Sequence, residues 1–143
     1  MELHLRPLRE DDLPALFAHQ LDPTATAMAG FPSRDEEAFV SHWARLEADP
    51  TVVTEIVEVD GQVAGNVGSW VEDDRRLLGY WIGREFWGRG VATEALRAFV
   101  GTLGDRPLYA YVAGHNAASM RVLEKCGFVE VSRDDDEVLY ELS

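Results

Sequence analysis

The chain has 143 residues, 46% of them hydrophobic, which is enough for one two-layer domain with a core and too few for two ordinary domains. The formal net charge of −13 argues against a nucleic-acid-binding protein, because binding a phosphate backbone needs a basic face. No apolar run approaches the roughly 20 residues of a membrane span. The only cysteine is Cys126, and the histidines have no metal-ligand spacing. We therefore expect one cytoplasmic domain over residues 1–143 without metal or membrane contact.

The first part of the chain predicts one strand followed by two helices that a loop separates. Residues 2–6 alternate as a short strand, and residues 11–14 (Asp-Asp-Leu-Pro) open a helix. Residues 22–32 are rich in Thr, Ala, Gly and Pro and predict a loop, which ends in a capping box of Ser33 and Glu36. The next helix has a predicted buried stripe of Phe39, Val40, Trp43 and Leu46.

Two predicted turns join three antiparallel strands in the middle of the chain. Asp60-Gly61 supplies the two positive φ angles of a tight hairpin turn between residues 51–59 and residues 62–71. A second turn, at residues 72–76, leads into a strand over residues 77–82. These strands form the predicted centre of a sheet.

The last part of the chain predicts two more helices and a closing hairpin. Apolar spacing predicts a helix over residues 91–103, and a strand follows at residues 108–112. Asn116 is a candidate cap for a further helix that Gly127 ends, and a hairpin over residues 128–142 completes the chain. Strands and helices in this order predict an α/β (α+β) sheet with helices on its faces.

One glycine-rich turn is the strongest candidate for a ligand site. Glycines let the backbone approach a ligand closely, and the N–H groups at a helix start point toward an anion. The turn lacks the lysine and Ser/Thr of a nucleotide P-loop and the third glycine of a dinucleotide fingerprint. It therefore predicts a phosphate or pyrophosphate site of another class, unless the glycine pair is only a tight turn. The run reads Gly83-Arg84-Glu85-Phe86-Trp87-Gly88-Arg89-Gly90-Val91-Ala92-Thr93.

The charge of the chain is unevenly distributed around this turn. Residues 84–125 contain six basic and four acidic residues, although the whole chain has 13 basic and 26 acidic residues. An anionic ligand would meet the least repulsion there, whereas the acidic remainder favours a cationic second substrate. The alternative is that the acidic surface only keeps the protein soluble.

Two motifs resemble the GNAT superfamily of N-acetyltransferases, and within it the subgroup of ribosomal-protein-alanine and related amine acetyltransferases. The resemblance is close over residues 77–131, whereas the first 50 residues match only in element order. It implies the GNAT acyl-CoA N-acyltransferase fold, a twisted mixed sheet of about six or seven strands flanked by about four helices. The motifs are Gly79-Tyr80-Trp81-Ile82-Gly83 leading into Trp87-Gly88-Arg89-Gly90-Val91-Ala92-Thr93-Glu94-Ala95, and Asn116-Ala117-Ala118-Ser119 followed by Leu123-Glu124-Lys125-Cys126-Gly127-Phe128.

The resemblance implies an enzyme that moves the acetyl group of acetyl-CoA to a primary amine, on a protein N-terminus or a small molecule, by direct transfer in a ternary complex. Trp81 and Ile82, at a bulge in their strand, would bind the pantetheine and polarise the acetyl carbonyl. Asn116 would contact the pantetheine arm, unless it is only a helix cap. The backbone amides that would hold the pyrophosphate belong to Gly88, Arg89, Gly90, Val91, Ala92 and Thr93.

The sequence departs from the family pattern at Trp87 and Leu123. The superfamily often has Gln or Arg in place of Trp87, so the pyrophosphate contact there would come from the backbone or from Arg89. The tyrosine that many members use to protonate the leaving thiolate corresponds to Leu123. Ser119, near the thioester sulfur, is then the possible general acid, although a thiol with a pKa of about 8.5 can also leave unaided.

The general base is not assigned by the sequence. An amine must lose a proton before it attacks, so a carboxylate or a water held by one is expected. Two other functions stay open, a sensor that binds acetyl-CoA without turnover and a plain interaction domain, and so do a monomer and a homodimer. The candidate bases are Glu55, Glu58, Glu72, Asp73, Asp74 and His115.

Overall fold

The computed structural model describes residues 1–143 and contains seven strands and five α-helices. Short 3-10 helices, Glu10–Asp12 and Arg84–Phe86, precede the first α-helix and follow the fourth strand. No helix combines the length and the apolar character needed to cross a membrane. The elements are β1 (Leu3–Arg6), α1 (Leu13–Leu21), α2 (Pro23–Ala29), α3 (Glu36–Ala48), β2 (Val53–Val59), β3 (Gln62–Glu72), β4 (Arg75–Ile82), α4 (Val91–Thr102), β5 (Leu108–Ala113), α5 (Ala117–Lys125), β6 (Val129–Arg133) and β7 (Glu137–Leu142).

All strands belong to one mixed sheet with the order β1-β2-β3-β4-β5-β7-β6. The predicted hairpin turn between β2 and β3 is confirmed, because Asp60 and Gly61 have φ angles of 50° and 83°. β4 and β5 are the one parallel pair, and they pair only at Arg76–Leu108 and Leu77–Tyr109. Beyond that point the two strands separate, and a split opens in the middle of the sheet.

The two faces of the sheet are covered by different helices. Neighbouring residues of a strand point to opposite faces, so Ile56 and Val57 mark the two sides of β2. Val57 belongs to the main core, in which α4 and α5 pack on the sheet. Ile56 belongs to a smaller cluster with Leu16, Phe39 and Trp43 from α1 and α3. The mixed sheet covered by helices on both faces confirms the predicted fold class.

The predicted loop at residues 22–32 is wrong, because it contains helix α2. Asp22 accepts a hydrogen bond from the Thr24 N–H, Pro23 fills the first position, and Gly30 ends the helix with a φ of 79°. These are ordinary helix start and stop residues. The high content of Thr, Ala and Gly concealed them.

The cap and the buried stripe of α3 also differ from the prediction. Asp35 accepts a hydrogen bond from the Ala38 N–H at 2.8 Å and caps the helix, in place of the predicted Ser33–Glu36 box. Val40 is 47% exposed, because the stripe that packs on α1 runs through Phe39 and Trp43. The observed cap lies two residues after the predicted one, so α3 begins at Glu36 and still contains the predicted stripe.

Candidate active site

A left-handed turn of the backbone joins β4 to α4. Gly88 and Gly90 both have a φ of +75°, and a Cβ added to either residue would meet no atom within 4 Å. The amides of residues 88–93 donate to no acceptor in the protein, whereas the Glu94 N–H already bonds the Gly90 carbonyl at 3.1 Å. The free donors stand at the start of the 12-residue helix α4, whose dipole makes this end partly positive.

A second set of free donors lies along the edge of β4 that faces the split. The Gly83 N–H donates to the Ala64 carbonyl of the neighbouring chain segment, and peptide groups alternate in direction along an antiparallel ladder. The peptide groups of Tyr80 and Ile82 therefore point away from β3, toward β5, which does not pair with β4 at this level. Their N–H groups are available to an extended ligand.

The predicted bulge at Trp81 and Ile82 is wrong. The register of β3 and β4 runs without a shift to its last pair, Gly65–Ile82. Trp81 lies opposite Asn66, and its peptide groups point toward β3 rather than into the split. A strand needs no bulge to free its peptide groups where its neighbour has separated. Tyr80, which is not among the predicted site residues, supplies the second free donor instead.

The turn, the edge of β4 and the start of α5 enclose a cleft of about 540 Å³. Helix α2 forms a further wall through Ala25, Met28 and Ala29. Arg89 is the one predicted cofactor residue outside the lining; its guanidinium lies over the Phe86 ring and 3.8 Å from Asp60. The predicted cofactor residues that do line the cleft are Trp81, Ile82, Trp87, Gly88, Gly90, Val91, Ala92, Thr93, Asn116 and Ser119.

Two hydroxyl groups meet where β4 and α5 face each other across the cleft. The Tyr80 and Ser119 hydroxyl oxygens are 2.5 Å apart, and Ser119 is held by a hydrogen bond from its N–H to the Asn116 side-chain oxygen at 3.1 Å. Burial raises the pKa of Tyr80 to about 12, so its hydroxyl is protonated at neutral pH. Leu123, at the position of the family tyrosine, is 1% exposed and packs in the core.

Four of the acidic base candidates are far from the cleft or already paired. Glu72, Asp73 and Asp74 lie at the opposite end of β4, roughly 20 Å from Tyr80 at about 3.3 Å per strand residue. Glu58 accepts a 2.7 Å hydrogen bond from Arg6, which lowers the pKa of its carboxyl group. None of these four carboxylates lines the cleft.

The other two candidates, Glu55 and His115, do not line the cleft either. Glu55 has a buried carboxylate oxygen without a partner, and burial raises its pKa, but it lies on β2 and not in the cleft lining. The His115 Nε2 is 2.8 Å from the Ala27 carbonyl and joins the β5–α5 loop to α2. The general base therefore stays unassigned.

The charged side chains of the cleft are all cationic. Arg121 and Lys125, one helical turn apart on α5, are the charged residues of the lining, and neither forms an ion pair. No Asp or Glu lines the cleft, although the chain has a net charge of −13. No group of three or more His, Cys, Asp or Glu is arranged to hold a metal ion. The cleft can therefore attract an anion to the free amides.

The sequence and the fold are similar to those of known acetyltransferases. The model of the acetyltransferase (GNAT) domain family matches residues 2–129. An acetyltransferase from Thermus thermophilus is 27% identical, with a TM-score of 0.84 and coverage of 99% of this chain and 97% of that chain. No curated protein matches the sequence.

Two structures below 25% identity share the fold. One is spermidine N-acetyltransferase from Vibrio cholerae in complex with CoA and spermine, with 18% identity, a TM-score of 0.84 and coverage of 98% of this chain and 94% of that chain. The other is a ribosomal L7/L12 alpha-N-protein acetyltransferase in complex with coenzyme A, with 21% identity, a TM-score of 0.82 and coverage of 98% and 93%. These matches do not single out the ribosomal-protein-alanine subgroup, which stays a prediction.

Proposed function

Because the chain belongs to the acetyltransferase (GNAT) domain family, we propose that it binds acetyl-CoA between β4 and β5 and transfers the acetyl group directly to a primary amine. The run of amides without acceptors at residues 88–93 carries this proposal. A diphosphate offers several acceptor oxygens and negative charge, which suit these donors and the positive end of α4. The residues present thus fit coenzyme A.

The split in the sheet suits the pantetheine arm. Tyr80 and Ile82 present their N–H groups along an open strand edge, and a chain with amide groups can pair with such an edge as an added strand does. The Asn116 side-chain oxygen caps α5, which leaves its amide nitrogen free to donate to the arm. Asn116 would then serve both as a cap and as a ligand contact.

The reacting end of acetyl-CoA would lie beside the hydrogen-bonded pair of Tyr80 and Ser119. The backbone N–H of Tyr80 would donate to the acetyl carbonyl oxygen, where negative charge develops during attack. The Ser119 hydroxyl would face the sulfur. Cys126, the one free cysteine, does not line the cleft, and no histidine does. Direct transfer is therefore favoured over an acetylated enzyme intermediate.

The acceptor that we propose is a cationic primary amine. The chain has 26 acidic and 13 basic residues, and the resulting negative potential raises the local concentration of cations. Proteins of the same fold are named for spermidine and for the α-amino group of ribosomal L7/L12. Polyamines and protein N-termini are therefore the first acceptors to test.

Two measurements test the proposal: calorimetric titration with coenzyme A, and thiol release from acetyl-CoA with a panel of polyamines and N-terminal peptides. Gly90→Val should weaken coenzyme A binding by about tenfold or more, whereas Gly61→Val should not. Both glycines have positive φ angles, +75° and +83°, and an added Cβ would meet no atom within 4 Å at either. The two variants thus carry similar backbone strain, of order 1–3 kcal/mol, at different places.

Equal affinity of the Gly90→Val and Gly61→Val variants would remove the pyrophosphate assignment. Tight binding of coenzyme A without turnover on any amine would instead support the sensor that the sequence left open. Absence of any affinity for coenzyme A in the unmodified protein would support the interaction domain.

A further inference from the structure

We propose that Tyr80 is a positioning residue for thiol departure: its hydroxyl donates to Ser119 and so directs the Ser119 hydroxyl hydrogen at the sulfur. The inference rests on the proposed function, because it needs acetyl-CoA in the cleft. It gives Tyr80 a role besides that of its backbone N–H, through a side chain that the sequence motif left unassigned.

The geometry of the two hydroxyl groups carries this inference. They are 2.5 Å apart, both residues line the cleft, and this is the one side-chain hydrogen bond that either hydroxyl makes. Tyr80 comes from β4 and Ser119 from α5, so the bond joins two walls of the cleft. The Asn116 side-chain oxygen accepts a hydrogen bond from the Ser119 N–H and so holds the backbone of Ser119 in place. The Ser119 hydroxyl thus has a defined position.

The direction of the hydrogen bond follows from the chemistry of the two groups. A phenol is a stronger donor than an aliphatic hydroxyl, since its pKa of about 10 is lower. Tyr80 has no other acceptor than Ser119. When Tyr80 donates, the Ser119 oxygen is the acceptor and its own hydrogen must point elsewhere. The cleft that Ser119 lines is the open direction.

The pair acts by hydrogen bonding and not by proton transfer. Tyr80 has a pKa raised to about 12 by burial, whereas a thiol has a pKa of about 8.5, so transfer from Tyr80 would be uphill by more than about 1,000-fold. In the balanced step the C–N bond forms, the C–S bond breaks, and its electron pair leaves on sulfur. The proton of the attacking amine passes to solvent, and the thiolate later takes a proton from solvent.

Tyr80→Phe tests the role, with Tyr109→Phe as the matched control. Tyr109 donates a 2.8 Å hydrogen bond to Glu141 on β7 and does not line the cleft. We expect Tyr80→Phe to lower kcat about tenfold, with KM for acetyl-CoA within about twofold of the unmodified protein. Tyr109→Phe should leave both constants unchanged.

A second readout separates positioning from packing. The pKa of the thiol of bound coenzyme A, measured from the ultraviolet absorbance of its thiolate, should rise by about one unit in Tyr80→Phe and in Ser119→Ala. The double variant should be no slower than Ser119→Ala, because Tyr80 acts through Ser119. If Tyr80→Phe folds poorly, Ser119→Ala still tests the inference. An unchanged pKa of the coenzyme A thiol in the Ser119→Ala variant overturns it.

The outcomes distinguish this inference from the proposed function. An unmodified protein without turnover contradicts the proposed function. If the unmodified protein is active, two results contradict the inference alone. One is a Tyr80→Phe variant that keeps its kcat, and the other is a double variant in which Tyr80→Phe and Ser119→Ala lower kcat additively.

Discussion

The indole N–H of Trp87 donates a 2.9 Å hydrogen bond to the Ile82 carbonyl oxygen. That carbonyl faces the split, where β4 has no partner strand to supply a donor. The bond therefore satisfies the last free carbonyl of β4 and ties the glycine-rich turn to the strand end. The superfamily often has Gln or Arg at this position, where the side chain would contact the pyrophosphate. In this chain the Trp87 side chain bonds the end of β4 instead.

Trp87→Phe should loosen the turn without unfolding the protein. The ring keeps its apolar contacts but loses the donor, and Trp87 is already 38% exposed. We expect coenzyme A affinity to fall roughly three- to tenfold, the equivalent of one neutral hydrogen bond, with the melting temperature nearly unchanged. Titration calorimetry of both proteins measures it, and equal affinities would show that the Ile82 bond does not hold the turn.

Asn116 can be tested for its two roles separately. Asn116→Asp keeps an oxygen that accepts from the Ser119 N–H but loses the amide nitrogen; Asn116→Ala loses both. We expect the Ala variant to lose about 1 kcal/mol of stability and the Asp variant to lose little, since Asp caps as well as Asn. Both should bind coenzyme A more weakly. An Asp variant with full affinity would reduce Asn116 to a cap.

The pH dependence of the rate should follow the pKa of the acceptor amine and not the pKa of a group on the enzyme. The cleft lining contains no carboxylate or histidine, so the amine must lose its proton to solvent before it attacks. kcat/KM should rise tenfold per pH unit up to the amine pKa, near 8 for an α-amino group and about 10.4 for a lysine-type amine. Tyr80, with a pKa of about 12, should add no falling limb in this range.

Comparing two amines of different pKa checks this expectation. Inflections that move with the amine agree with it. One inflection common to both amines would instead reveal a base on the enzyme.

Gly65 should be intolerant of any side chain. A Cβ there would overlap the Trp81 carbonyl oxygen and lie 2.9 Å from the Ile82 Cα, and both are backbone atoms of β4. Gly65→Ala should therefore cost about 2–3 kcal/mol of unfolding free energy. Gly68→Ala, in the same strand, would make only 3.7 Å contacts and should be neutral or stabilise by up to about 1 kcal/mol. Urea denaturation of both variants measures the contrast, and equal stabilities would contradict it.

His19 should make the protein less stable as the pH falls. Its side chain is 9% exposed, its Nδ1 has no partner, and burial lowers its pKa despite Glu85 at 3.8 Å. The unfolded chain binds the proton at a pKa of about 6.5, before the folded protein does. The contribution of neutral His19 is therefore complete above that pH and is lost below it.

Chemical denaturation between pH 7.5 and 5.5, roughly one unit either side of the unfolded histidine pKa, measures this loss. His19→Gln should give a shallower decline than the unmodified protein, and the half-buried His42, whose pKa is also lowered by burial, accounts for a remaining part. His4→Gln is the control, since His4 is exposed. An unchanged slope in His19→Gln would contradict the assignment.

Local chemistry explains which predictions hold. The Asp60-Gly61 turn needs positive φ angles that those residues adopt readily, and Asn116 caps its helix with its own side chain. The glycine-rich turn was likewise predictable, since free amides at a helix start depend on residues close in sequence. The loop at residues 22–32 was misassigned because Thr, Ala and Gly occur in both loops and short helices, and packing of α2 beside the cleft decided between them.

Sequence alone determined the glycine-rich turn, the strands beside it and the family, because each of these depends on residues close together in the chain. Only the tertiary structure decided that the peptide groups of Tyr80, and not those of Trp81, open into the split, since this depends on which side of β4 loses its partner. Only it brought the Tyr80 hydroxyl to Ser119, 39 residues away. Side chains on different elements meet through packing, which no local pattern records.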